Sequence, residues 1–307
     1  MISYLLFYKI LQLAVIMLLA FTLVKLKIVK SQDGVVLSKI SLYLLMPAAI
    51  INSFDVEMTD EIVKGLVLAF ILAIVIHIVL LIIDCAYKKL FRGTSVERAS
   101  IVYSNAVNLI IPIVSYVLGD EWVIYSCAYM SVQLVFLWSH GIHLFSEEKK
   151  MDIKKIILNA NIIAIFVGAI LMISGIRLPV FVKEVTTSLG SMLGIVGMII
   201  AGMLAADINF KETFLNKRLY LVLIMRMIIC PAIMLVILKC AYLNIPVINA
   251  KEVLLVSFLA SITPSAATIM QFAQLYNKDA NFAVGINVVT TIMCIVTMPI
   301  FVAIYQM

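Results

Sequence analysis

The sequence predicts an all-α integral membrane protein: ten transmembrane helices in a 5+5 inverted repeat, with helices 4 and 9 broken. Three observations lead there: a composition too apolar for water, an alternation of basic connections along the chain, and a matched pair of prolines. Of the 307 residues, 64% are hydrophobic and 13% charged, and the mean hydropathy is +1.16. Soluble domains are about 45–50% apolar and about 25% charged. A soluble globule of this length would lack the charge to cover its surface. The net charge of +6 reads as the cytoplasmic excess of Lys and Arg that orients membrane proteins, with no nucleic-acid partner implied.

A helix needs about 20 mostly apolar residues to cross the hydrocarbon. That criterion places spans at 4–24, 35–54, 64–87, 99–119 and 122–145, then at 157–176, 179–205, 217–242, 251–275 and 281–305. The first holds Lys9 and runs into Lys25, Lys27 and Lys30 without a small-residue cleavage site. It reads as a retained span, not a signal peptide. The apolar runs lack the alternating pattern of barrel strands. Odd-numbered connections carry basic clusters, such as Lys88, Lys89, Arg92 and Arg98, or Lys149, Lys150, Lys154 and Lys155. Even-numbered connections hold only Lys64, Arg177, Lys183, Lys239 and Lys251. The positive-inside rule then puts both termini outside a cell (inner or plasma) membrane and the 146–156 linker in the cytoplasm. Cys85, Cys127, Cys230, Cys240 and Cys294 lie in apolar stretches without CxxC spacing. They read as reduced packing residues, and neither a metal nor a cofactor is expected.

Five spans precede the charged linker and five follow it. Five is odd, so the two halves insert with opposite topology, as in an inverted repeat. At an offset of about 152 residues, Pro112 in span 4 falls on Pro264 in span 9. A proline inside a helix removes one hydrogen bond and clashes with the carbonyl a turn earlier. In a membrane the freed groups are tolerated only where protein, water or ligand satisfies them. Small polar residues flank both prolines. Two broken helices at matched positions of a repeat point to a transporter's binding site. Ordinary proline kinks are the alternative, since Pro47, Pro231 and Pro299 also lie within spans.

The segment Asn105 to Pro112 is similar to the Gly-Asn-x-x-x-x-Gly-x-Pro signature of the auxin efflux carriers, with Ser104 and Ile110 where the signature has glycines. Leu44-Leu45-Met46-Pro47-Ala48, Arg177-Leu178-Pro179 and the closing Thr291-to-Pro299 stretch also resemble that family, which includes plant PIN proteins and bacterial malate and malonate permeases. The resemblance covers the whole chain. It implies a scaffold of residues 1–57 and 157–206 that often forms a homodimer interface. It also implies a transport domain of residues 58–145 and 207–307 in which helices 4 and 9 cross at their prolines. The activity it implies is elevator-type movement of a small organic anion or carboxylate across the lipid bilayer. Independently, Gly190, Gly194 and Gly197 form a small-residue stripe on span 7 that permits close helix approach and reads as scaffold packing.

Polar residues inside the membrane are the substrate-site candidates. Asn105 leads, because its amide can donate to a carboxylate while its oxygen holds the broken backbone. Asn108 either joins it or patches the carbonyl that Pro112 leaves unpaired. Ser261, Thr263 and Ser265 around Pro264 either supply hydroxyl donors or bond back to their own helix. Gln133 and Asn287 are pocket walls or packing hydrogen bonds. Arg226 faces the anion, pairs with an acid such as Asp207, or snorkels. Lys39 reads as snorkelling, and His77 as a core histidine with a proton-linked role as the alternative. His140 and His143 are a weak metal signal without carboxylate ligands.

No acidic residue lies mid-membrane, which disfavours a carboxylate proton relay; uniport fits better, while sodium coordination by Asn, Ser, Thr and carbonyl oxygens needs no carboxylate and stays open. An interior potential of about −100 mV favours exit of each negative charge by roughly 2.3 kcal/mol. A sodium-coupled organic-anion symporter of bile-acid type and a non-transporting membrane sensor are the competing readings. No Gly-x-Ser-x-Gly and no His-Glu-x-x-His occurs, so no enzyme is expected.

Overall fold

The computed structural model describes residues 2–146, 158–242 and 248–307. Beyond Ser146, the expected 146–156 linker lies outside the described residues. In chain order the helices are α1 (Ile2–Lys25), α2 (Ser31–Ser53), α3 (Asp60–Phe91), α4 (Ser95–Val102), α5 (Ala106–Val117) and α6 (Asp120–Phe145). There follow α7 (Ala160–Ser174), α8 (Val180–Ala205), α9 (Phe210–Leu215), α10 (Lys217–Tyr242), α11 (Ala250–Ile262), α12 (Ala267–Leu275) and α13 (Ala280–Gln306). Among the described residues seven helices, α1, α2, α3, α6, α8, α10 and α13, are long and apolar enough to cross a membrane. Ala160–Ser174 and the Asn108–Val117 part of α5 are shorter apolar helices. The expected fourth and ninth spans are each two short helices, α4 with α5 and α11 with α12.

Local chemistry sets the helix ends. Thr59 accepts from the Ile62 N–H, Thr94 from Glu97 and Asp279 from Phe282, each satisfying one N–H that a helix start leaves unpaired. Gly175 closes α7 at φ +69°, a left-handed conformation that costs glycine nothing. Three long helices contain a π-type stretch, Ser41–Leu45, Leu137–Gly141 and Met225–Ile229. Two of these run up to a proline, Pro47 and Pro231. The widened turn accommodates a ring that would otherwise strike the carbonyl one turn back.

The break in the fourth span is not at its proline. Pro112 lies inside the continuous helix α5, where it costs the single hydrogen bond to the Asn108 carbonyl. The chain leaves helix earlier, at Tyr103, whose backbone is extended at φ −94°, ψ 123°. Pro264 does sit in the break of its span, between α11 and α12. Tyr103 and its neighbours remain extended because the other broken helix supplies their hydrogen-bond partners.

Helix α8 packs against α1, α2 and α5, and α3 against α6 and α11. At Gly202 an added Cβ would lie 2.1 Å from the Met17 carbonyl oxygen, so α1 and α8 touch backbone to backbone. The glycine stripe of α8 packs against both α2 and α5. Gly190 faces Ala49 of α2, but a Cβ on Gly194 would lie 2.9 Å from Pro112 Cγ and one on Gly197 3.7 Å from Asn108 Cβ.

Candidate functional site

The two interrupted helices meet at the centre of the protein. Ser104 and Ser265 form an antiparallel bridge. The Asn105 N–H donates to the Pro264 carbonyl at 2.8 Å and the Ala266 N–H to the Tyr103 carbonyl at 3.0 Å. Side chains from two neighbouring helices complete the junction. Gln133 of α6 donates to the Ser104 carbonyl at 2.8 Å and accepts from the Ser104 hydroxyl at 2.5 Å. Asn287 of α13 donates to the Ser265 carbonyl at 2.6 Å, and the Thr290 hydroxyl accepts from the Ser265 N–H at 3.2 Å. A different long helix thus supplies an amide to each bridging serine. Buried main-chain groups that would otherwise be orphaned in hydrocarbon are satisfied this way.

The half-helices run in opposite senses away from the junction. The starts of α5 and α12 border a cavity of about 320 Å³. Asn105, Asn108, Ala267, Thr268 and Gln271 line it at the junction. Ser38, Lys39, Ser41 and Met46 of α2 line it opposite, with Gly197, Ile200 and Ala201 of α8. The amide oxygen of Asn105 accepts from Asn108 Nδ2 at 2.9 Å and from the Ala267 N–H at 3.4 Å, which leaves its own NH2 toward the cavity. Among the described residues that line it, Lys39 is the one cation and none is a carboxylate. Towards α1, by contrast, Ile10, Leu13, Leu109, Ile113, Met198, Pro264 and Cys294 close over about 10 Å³.

Of the residues expected to form one site, the cavity gathers Asn105, Asn108 and Asn287. Pro112 packs on Gly194. Ser261 and Thr263 turn their hydroxyls back onto the Phe258 and Ala260 carbonyls of α11, the alternative weighed for them. Ser265 contributes through its backbone and Gln133 through Ser104. Arg226 neither faces the cavity nor pairs with Asp207, which accepts from Ser31 at the start of α2. It is fully buried and donates to the carbonyls of Ile101, Ser261 and Thr263 at 3.1, 2.8 and 2.6 Å. His77 donates to the Ala73 carbonyl and stacks on Phe136. His140 is taken up by Tyr103 and Asp84, whose carboxylate also receives a two-pronged contact from Arg98.

Sequence reasoning missed Lys39, Thr268, Gln271 and Gln274. The last three share a face of α12 with Ala267, so the polar spacing after Pro264 was the available signal. Lys39 carried none, because only the packing of α2 decides whether a basic residue snorkels or lines a cavity.

Apolar helices of spanning length, two interrupted helices joined in the interior and a polar cavity beside the join define a multi-pass membrane transport protein. The family described as Membrane transport protein, the transport domain of the auxin efflux carriers, matches residues 5–155 and again residues 147–302. The chain belongs to this family, which is one of transporters and not of enzymes. Comparison with the curated proteins found no match.

Proposed function

We propose that the protein is a secondary transporter that moves small organic anions, carboxylates foremost, by uniport. The observation that carries this reading is the cavity itself. Its volume of about 320 Å³ suits a small ligand. Two half-helix starts, the free amide of Asn105 and the ammonium of Lys39 offer partial and full positive charge with no carboxylate to oppose them. The absence of an acid among the described lining residues also argues against proton coupling at the site.

The remaining elements fit alternating access. The ten-span inverted repeat reads α4–α5 and α11–α12 as its fourth and ninth members, with α7 the short sixth. The lining runs from the junction to Gly34, Leu204 and Gln274, which adjoin the connections bearing Lys25 to Lys30, Lys211 and Lys278. By the positive-inside rule that face is cytoplasmic and the termini are outside, so the cavity is inward-open and the packed apolar layer by α1 is the outer seal. An elevator movement would carry the junction, with α3–α6 and α10–α13, along the glycine face of α8.

The test is electrogenic flux of a carboxylate panel in proteoliposomes of purified protein, with and without sodium and a pH gradient. An anion current that needs neither gradient and disappears in Asn105→Ala is expected. Current that requires sodium would replace uniport by sodium symport. Saturable binding without any flux would make the protein a sensor.

A further inference from the structure

Arg226 is not among the residues that line the cavity and lies in the π-type stretch Met225–Ile229 of α10. Its guanidinium has no exposure to solvent, and among the described residues no carboxylate pairs with it. Its partners are three main-chain carbonyls. Ile101 is in the last turn of α4, Ser261 is in the last turn of α11, and Thr263 follows that helix as its cap. These are carbonyls that a helix end leaves unpaired. Each helix C-terminus carries nominally about −0.5 elementary charge. Two of them meeting here come to about −1, which the guanidinium charge balances. An isolated buried Arg would be strongly disfavoured, so the pairing of charge with two converging helix ends is what makes its burial tenable.

In transporters with interrupted helices, half-helix C-terminal ends and unwound carbonyls are the groups that coordinate a coupling cation. We propose that the carbonyls of Ile101, Ser261 and Thr263 form a latent monovalent-cation site, and that Arg226 fills it as a covalently tethered cation. The protein thereby carries its own counter-charge through the transport cycle and needs none from solution. The guanidinium fits three diverging acceptors because its N–H groups fan out in a plane, which the compact ammonium of lysine cannot match. The consequence for coupling rests on the transporter reading above. The site itself does not.

The experiment melts the purified full-length protein in sodium, potassium or choline chloride at one ionic strength. The wild type should melt at the same temperature in all three. Arg226→Ala should melt lower in choline and rise by about 5 °C or more, saturably, with sodium, potassium or added guanidinium. Arg226→Lys, which keeps the charge, should be insensitive to the cation. Saturable sodium stabilisation of the wild type would overturn the proposal, as would an Arg226→Ala protein that no cation restores, including one that stays unfolded in every salt. This readout uses no substrate. A wild type that moves no anion while Arg226→Ala is rescued by cations would remove the transporter reading and leave the site. Sodium-independent flux in the wild type with no rescue of the variant would do the reverse.

Discussion

Asn105 holds together two tasks that most residues perform separately. Its oxygen ties the start of α12 to the start of α5, through Ala267 and Asn108, and its amide faces the cavity. Asn108 spends its amide on Asn105. Truncation of Asn105 therefore removes a donor and releases a helix start, whereas truncation of Asn108 leaves the Asn105 oxygen its bond from the Ala267 N–H. Asn105→Ala should weaken carboxylate binding more than Asn108→Ala, as read by titration of the purified proteins; equal losses would sink the ranking. Lys39 is exposed in its cavity wall, so its attraction for an anion is screened by the water and salt that fill the cavity. Lys39→Gln should lower affinity roughly three- to tenfold at low salt and less at high salt. A salt-independent loss would mean that Lys39 acts through packing. The asparagines were legible by residue type alone, because an amide in an apolar run is costly unless it has work. Lys39 was not, since its role depends on which helix faces it.

At the scale of the helix, α8 meets its neighbours through glycine in two settings that substitution can separate. Gly202 abuts the Met17 carbonyl of α1, where a Cβ would lie at 2.1 Å. Gly194 abuts the ring of Pro112 on α5, at 2.9 Å. If α1 and α8 stay together while α5 slides, crowding the first contact harms stability and crowding the second harms motion. Gly202→Ala should lower the melting temperature, with an overpacking cost of about 1–3 kcal/mol. Gly194→Val should retain carboxylate binding and lose most of its flux in proteoliposomes. A Gly194→Val protein with wild-type flux would argue that α5 does not move against α8. The break in the expected fourth span lies at Tyr103 and not at Pro112. Proline is the one breaker visible by residue type, and it marked position 112. The extended backbone at Tyr103 is held by hydrogen bonds to a segment some 160 residues away, and no local pattern announces a partner at that distance.

Over the whole molecule, the apolar runs and the alternating charges made the helices legible, since each must satisfy its backbone within itself and hide from water. How those helices are latched together was not legible. Asp55, just past α2, accepts from the Leu178 N–H at 3.1 Å and from Lys183 at 2.7 Å, with Arg177 at 3.8 Å, and so joins α2 to the start of α8. Burial alone would push the Asp55 carboxyl up. The hydrogen bonds from Lys183 and Leu178 and the charges of Lys183 and Arg177 outweigh it and hold the carboxyl below the usual carboxylate range. The folded protein thus binds this proton more weakly than the unfolded chain. The latch contributes its full stability above the unfolded value, about 4, and loses it as the pH falls through the lower folded value. The wild type should lose more melting temperature between pH 6 and pH 3.5 than Asp55→Asn does. Parallel pH profiles for the two proteins would show that the latch contributes nothing.

The two bonds that knit the halves at the junction, from Asn105 to Pro264 and from Ala266 to Tyr103, run between main-chain atoms. Every amino acid except proline offers the same donor at positions 105 and 266. Mutation can therefore rewrite side chains around the cavity without removing these two main-chain bonds. A lineage built on such a frame can trade one cargo for another by a few substitutions, and its descendants would share mechanics while diverging in appetite.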